Sequence, residues 1–192
     1  MEEEFIMIER NRRDFLRGGA MAAIALSVWP VKGVFADSAV QMVTIVAFND
    51  KGEAQPAAVV PKIVKTEAEW KAQLSPLSFG VTREAGTERP FTGALLNEHR
   101  KGVFGCICCD TALFDSATKF DSGTGWPSFW QPIAKENVTS LNDSTLGMDR
   151  TEVRCARCDG HLGHVFDDGP RPTGLRYCMN SVSLKFTPTV TA

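Results

Sequence analysis

Two cysteine pairs at identical spacing constrain this chain more than any other feature. Cys106 with Cys109, and Cys155 with Cys158, each form a C-x-x-C. Such a unit closes a tight turn that aims both sulfurs at one point, and two of them complete a tetrahedron around one ion. The pairs lie farther apart than in a small finger, so an ion held between them ties two distant parts of one larger domain. Thiolates are soft ligands and zinc has no redox chemistry to lose, so one structural Zn²⁺ per chain suits the site. Three other readings use the same residues. Six cysteines in an exported chain can make three disulfides. A C-x-x-C can be redox-active, although two copies without a helix start after either weigh against it. Cys155, Cys158, His161 and His164 can form a local Cys₂His₂ set, which leaves Cys106 and Cys109 without a function.

The rest of the composition sets the frame. At 192 residues the chain is long enough for one ordinary domain. With 43% hydrophobic and 23% charged residues it has the make-up of a soluble globular protein rather than a disordered one. The net charge of -2 offers no basic face for a nucleic acid, so none is expected as a partner.

Residues 1–36 have the form of an address. Arg12-Arg13-Asp14-Phe15-Leu16 precedes an uncharged stretch from Gly18 to Val31, and Val34-Phe35-Ala36 supplies small residues for a signal peptidase. The paired arginines before Phe-Leu resemble the twin-arginine type. The apolar stretch is short for a membrane span, so no stable insertion is expected after cleavage. Export to a bacterial periplasm by this route fits a thiolate site. The route carries folded proteins, so zinc can be loaded in the reducing cytosol and protect its ligands afterwards.

Beyond the signal, residues 37–65 read as a β-hairpin. Met42–Phe48 is rich in β-branched residues, Asn49-Asp50-Lys51-Gly52 turns, and Val59–Val64 returns with Pro61 suited to an edge. Thr66-Glu67-Ala68-Glu69 is a capping box that opens a short helix ending before Ser75-Pro76. Val81 to Gly93 is turn-rich and predicts a long surface segment. After Gly102 short apolar runs alternate with Gly, Asp and Ser clusters, and Ser181–Phe186 alternates strictly, as a half-buried strand does. The main domain is therefore placed at 66–187, mainly antiparallel β with little helix, followed by a tail at 188–192. The chain after Phe186 is expected to fray.

Cys178 is an unpaired cysteine, and from composition alone such a residue is a small buried core residue. Its neighbours suggest chemistry instead. On a strand, Arg176 shares its face and favours a thiolate, and Asn180 on that face offers an amide to a polar oxygen. His161 and His164 are a candidate proton source, or else satisfied core or surface residues.

Four motifs then follow in order: Ser122-Gly123-Thr124-Gly125-Trp126-Pro127-Ser128-Phe129, Cys155-Ala156-Arg157-Cys158, His161–Pro170, and Gly174–Ser181. Together they resemble the B-type methionine sulfoxide reductases, specific for the R epimer, and Thr82–Phe91 matches that family's opening segment. The resemblance spans roughly Thr66 to Phe186. It implies two small antiparallel sheets with a few short peripheral helices and a zinc-ribbon-like Cys₄ site. It also implies reduction of methionine-R-sulfoxide, free or in proteins, through a sulfenic acid on Cys178. Trp126 is then the apolar platform for the substrate methyl group. His161, His164, Asp168, Arg176 and Asn180 take the family's places for activating Cys178 and for polarising and protonating the oxygen. The electrons are expected from a thioredoxin-like or small-thiol reductant.

The chain departs from many of these relatives at one position. They carry a resolving cysteine where this chain has Thr124, and a threonine cannot form a disulfide with Cys178. Cys108 is the remaining thiol, and it lies between two expected zinc ligands.

Overall fold

The computed structural model describes residues 40–143 and 150–189. The expected signal at 1–36 lies outside the described residues, as do 190–192 of the tail. The expected hairpin forms from β1 (Met42–Ile45) and β2 (Ala58–Pro61), with Pro61 opposite Met42 on an open edge. This hairpin is docked onto the main domain. The buried Asn137 side chain accepts from Val46 N and donates to Val46 O, each at 2.8 Å. Ile63 N donates to Arg157 O, and Lys62 pairs with Asp159 at 2.6 Å, so the hairpin is fastened to the second C-x-x-C turn.

The capping box starts α1 (Glu67–Gln73). Thr66 Oγ1 accepts from Glu69 N, and the Glu69 carboxylate accepts from Thr66 N at 2.7 Å. Trp70 is the side chain this helix buries. Ser75-Pro76, read as a stop, is also a start. Ser75 caps a second helix, α2 (Pro76–Glu84), and Pro76 occupies its first turn, where a missing N–H costs nothing. The surface segment expected from Val81 is thus corrected, because Val81 and Thr82 are buried in α2. A helix of nine residues with Ser, Gly and Thr in it shows little period, which hid it in the sequence.

The remaining strands form two antiparallel sheets. One has the order β11-β3-β4, from Leu184–Pro188, Gly102–Cys106 and Ala112–Asp115. The other has the order β5-β6-β10-β9-β8-β7. Its strands are β5 (Lys119–Phe120), β6 (Ser128–Phe129), β7 (Val138–Asp143), β8 (Arg150–Cys155), β9 (His161–Phe166) and β10 (Arg176–Met179). The mainly β architecture with two short helices therefore stands as expected. Fully buried phenylalanines join the sheets: Phe114 stacks on Phe129 at 4.4 Å between centroids, and Phe104 meets Phe129 edge-on at 4.9 Å. Truncating a ring in such a contact costs about 3–5 kcal/mol.

Two expectations near the C-terminus are corrected. Ser181–Ser183 is a 3₁₀ turn rather than the start of a strand, with both serines buried and hydrogen-bonded. The alternating pattern of Ser181–Phe186 thus spans two kinds of backbone. Thr187 and Pro188 do not fray: they pair with Val103 and Gly102, and the outer position of β11 in its sheet tolerates the proline.

Candidate active site

The two cysteine turns have the same backbone. Asp110 N donates to Cys106 O and Asp159 N to Cys155 O, each at 2.9 Å. Asp110 and Asp159 both adopt left-handed φ near +60°, a conformation that Asp tolerates better than most residues. One turn ends β3 in the smaller sheet and the other ends β8 in the larger. The Sγ atoms of Cys106, Cys109, Cys155 and Cys158 all lie within 4.8 Å of one another, an arrangement that can hold a metal ion. No disulfide joins the six cysteines, and four of them gather at one point instead of in separate pairs, which counts against the three-disulfide reading. The Cys₂His₂ alternative falls as well. The sulfurs of Cys155 and Cys158 gather with those of Cys106 and Cys109, and neither His161 nor His164 belongs to that group. Cys108 is buried in the first turn, and its carbonyl accepts from Gln73 Nε2.

Cys178 lies elsewhere, in the middle of the larger sheet. On β10 it faces His164 of β9 on one side and Ser128 of β6 on the other. The β9 side depends on Gly163. A Cβ there would lie 2.1 Å from Cys178 O, so any side chain would push β9 away from β10. Thr87, Trp126, Arg150, Gly163, His164, Phe166, Cys178 and Asn180 line an open cavity of about 130 Å³. Trp126 and Phe166 give it apolar sides; Arg150, His164 and Asn180 give it polar ones.

The environment of Cys178 is mixed. Burial pushes its thiol up, while the Thr124 hydroxyl at 3.8 Å and the Arg176 charge pull it down. Arg176 pulls toward the thiolate, as its place on the strand predicts, but burial outweighs it and the thiol is raised overall. Arg176 is held by a two-pronged pair to Asp168, with both contacts 2.8 Å, and its guanidinium lies 4.4 Å over the Phe166 ring. Asp168 itself is exposed and reaches Cys178 only through Arg176.

The expected residues therefore separate into layers. Trp126, His164, Cys178 and Asn180 share the cavity wall. His161 does not: it is buried behind His164, with ring centroids 5.4 Å apart. Burial pushes the His161 imidazole down and Glu152 only partly offsets this, which favours the neutral ring. Its Nε2 has no hydrogen-bond partner among the described residues.

The SelR domain family matches residues 74–188, more than half of the chain. The chain belongs to the SelR-domain family. Among its relatives is a peptide methionine sulfoxide reductase MsrB of Pseudomonas entomophila, 59% identical over 127 residues that cover 66% of this chain and 97% of that protein. The MsrB of Pseudomonas putida strain W619 is 61% identical over 127 residues, covering 66% of this chain and 96% of that one. The chloroplastic peptide methionine sulfoxide reductase B1 of Arabidopsis thaliana is 60% identical over 120 residues, 62% of this chain and 59% of that one.

Within this SelR domain, sequence reasoning missed three residues. Asp143 accepts from His164 and pairs with Arg150 at 2.9 Å, so one carboxylate orients two residues of the cavity wall. Asp143 and Arg150 face each other across β7 and β8, a pairing that no local motif announces. Glu88 is the third; it lies in the quoted opening segment but in a stretch read as surface. Its one signal was a charged residue amid a run matching the family.

Proposed function

We propose that the chain is a peptide-methionine (R)-S-oxide reductase whose nucleophile is Cys178. The observation that carries this reading is the position of Cys178 in a half-open cavity, between an indole and a carboxylate-oriented histidine. The substrate's methyl group packs on Trp126, and its oxygen lies toward His164 and Asn180. The Cys178 sulfur attacks the sulfoxide sulfur while the oxygen is protonated. The oxygen then passes to the cysteine, so Cys–SH and the sulfoxide become Cys–SOH and the thioether methionine. His164, oriented by Asp143, is suited to hold the proton beside that oxygen. Arg176, fixed by Asp168, favours the ionised sulfur during attack. His161 supports His164 from behind. Turnover of separated R and S epimers tests the assignment, and reduction of the S epimer at the rate of the R epimer overturns it.

The recycling step turns on Thr124. Two molecules of an external thiol return Cys–SOH to Cys–SH, releasing water and a disulfide. Thr124 Oγ1 is the side-chain atom beside Cys178 Sγ where a second thiol would be useful, and Cys108 is buried at the other cysteine cluster. After one equivalent of substrate, wild-type enzyme should therefore hold a sulfenic acid that a dimedone-type reagent labels at Cys178. Thr124→Cys should replace that label with an internal disulfide and improve use of a thioredoxin-like donor. A Cys108–Cys178 disulfide in peptide maps of the wild type would show instead that Cys108 is the resolver.

Zinc is the metal we assign to the four-cysteine cluster. Four sulfurs bound about 2.3 Å from one tetrahedral ion lie about 3.8 Å apart, and here Cys106–Cys158 and Cys109–Cys155 are 3.7 and 3.5 Å apart, with all four sulfurs within 4.8 Å of one another. Residues 1–36 direct export to a periplasm by a twin-arginine route in this proposal. Fused to a folded reporter they should export it, and Arg12→Lys with Arg13→Lys should stop export. Export that persists after the double change points to the general secretory route.

A further inference from the structure

Glu88 has no chemistry of its own in the proposed reaction, yet three of its groups touch the parts that do. The residue is only 3% exposed. The carboxylate accepts from Ser181 N at 2.6 Å and from Val182 N at 3.1 Å, the N–H groups of the turn that follows Asn180. Its backbone N–H donates to Asn180 Oδ1 at 3.0 Å. Its carbonyl accepts from the Trp126 indole N–H at 3.1 Å. Burial pushes the Glu88 carboxyl up, and the two backbone N–H groups pull against it.

The consequence for Asn180 is specific. Its Oδ1 is occupied by Glu88 N, and one Nδ2 hydrogen goes to Leu162 O at 3.0 Å. The other Nδ2 hydrogen is the donor left for the cavity that Asn180 lines. Glu88 thus fixes which end of the amide serves the cavity. There is little slack around it: a Cβ on Gly93 would lie 2.7 Å from Glu88 Oε1 and 2.4 Å from Ser181 Cβ.

We infer that Glu88 is a positioning residue of the sulfoxide site, holding the Trp126 indole and the Asn180 amide in register with Cys178. This rests on the assignment of the site to Cys178, Trp126 and Asn180. In Glu88→Gln, the side-chain NH₂ must face one of two backbone donors, so one of the paired bonds is lost. Displacing substrate-orienting groups by about 1 Å can cost about 100-fold. Attack of Cys178 on a small alkylating agent needs neither the indole nor the amide.

The test uses the full chain well below its melting temperature, with dithiothreitol saturating for turnover and removed before alkylation, which is followed at Cys178 by peptide mapping. In Glu88→Gln, kcat/KM for an R-sulfoxide should fall between about 10- and 100-fold, while the rate of Cys178 alkylation by iodoacetamide stays unchanged. Glu88→Asp, which keeps the charge but shortens the reach, should fall between Gln and wild type, and it carries the test if Glu88→Gln does not fold. Wild-type turnover in folded Glu88→Gln or Glu88→Asp, or equal losses in turnover and alkylation, overturns the inference. Cys178→Ser measured alongside separates the two levels. If it retains turnover, the site assignment has failed. If it is inactive while the Glu88 variants are fully active, only the role of Glu88 has failed.

Discussion

Cys178→Ser should abolish sulfoxide reduction in a protein that still folds. A serine hydroxyl stays protonated at neutral pH and is a far weaker nucleophile than a thiol, so the loss should be on the order of 10³-fold or more, the scale seen when a nucleophile is removed. Stability should change little, because the swap is nearly isosteric and Thr124 and Ser128 surround the position with hydroxyls. A pH series on the wild type gives the same test a second dimension. Because burial outweighs Arg176 and lifts the thiol above its ordinary range, the thiolate fraction is small at neutral pH. Alkylation of Cys178 should therefore keep accelerating with pH beyond the point where an ordinary cysteine levels off. Arg176→Met removes a downward influence on that pKa and should move the curve further alkaline. Full activity in folded Cys178→Ser would end the assignment.

Removing the metal should unfold or severely loosen the domain without altering a residue of the sulfoxide cavity. The C-x-x-C turns end β3 and β8, strands of different sheets, so an ion held there would act as a clamp between sheets as well as a local knuckle. Structural zinc contributes about 10–16 kcal/mol in finger peptides, against a total stability of about 5–15 kcal/mol for a typical domain. This domain also has a phenylalanine core, so the expected result is a large fall in melting temperature. Cys158→Ala and Cys106→Ala should each lose the metal, and chelation of the wild type should reproduce their melting curves. The β1–β2 hairpin should loosen too, because Lys62 and Ile63 are fastened to Asp159 and Arg157 beside the second turn. Purified wild type that contains no zinc and melts at the same temperature with chelator would defeat the proposal.

Much of the cavity was legible because its parts lie in short runs of sequence. Cys178, Trp126, His164 and Asn180 each belong to a quoted motif, and all four meet at one cavity. Arg176 was read correctly as a neighbour of Cys178 from the two-residue repeat of a strand. Its pull toward the thiolate is outweighed by desolvation, which depends on what covers the thiol and does not show in the repeat. His161 and His164, three residues apart, looked equivalent. In β9, His164 lines the cavity and His161 packs behind it against Glu152.

The sequence by itself determined the four-cysteine cluster, the place of Cys178 on a strand and the start of α1. Each follows from residues a few positions apart: two sulfurs in one turn, a capping box, a cysteine on a strand with its charged neighbour. Only the tertiary structure decided which groups orient them. Asp143 reaches His164 across the sheet, and Glu88 joins Trp126 to Asn180 across a separation of more than 90 residues between Glu88 and Asn180. The same division explains α2 and the Ser181 turn. Their local pattern is weak or misleading; α2 is held by the burial of Phe79, Val81 and Thr82, and the Ser181 turn by the buried Glu88 carboxylate that accepts from its N–H groups. A hydrogen bond between distant segments leaves no period in either one, so it becomes visible only when the chain has closed on itself.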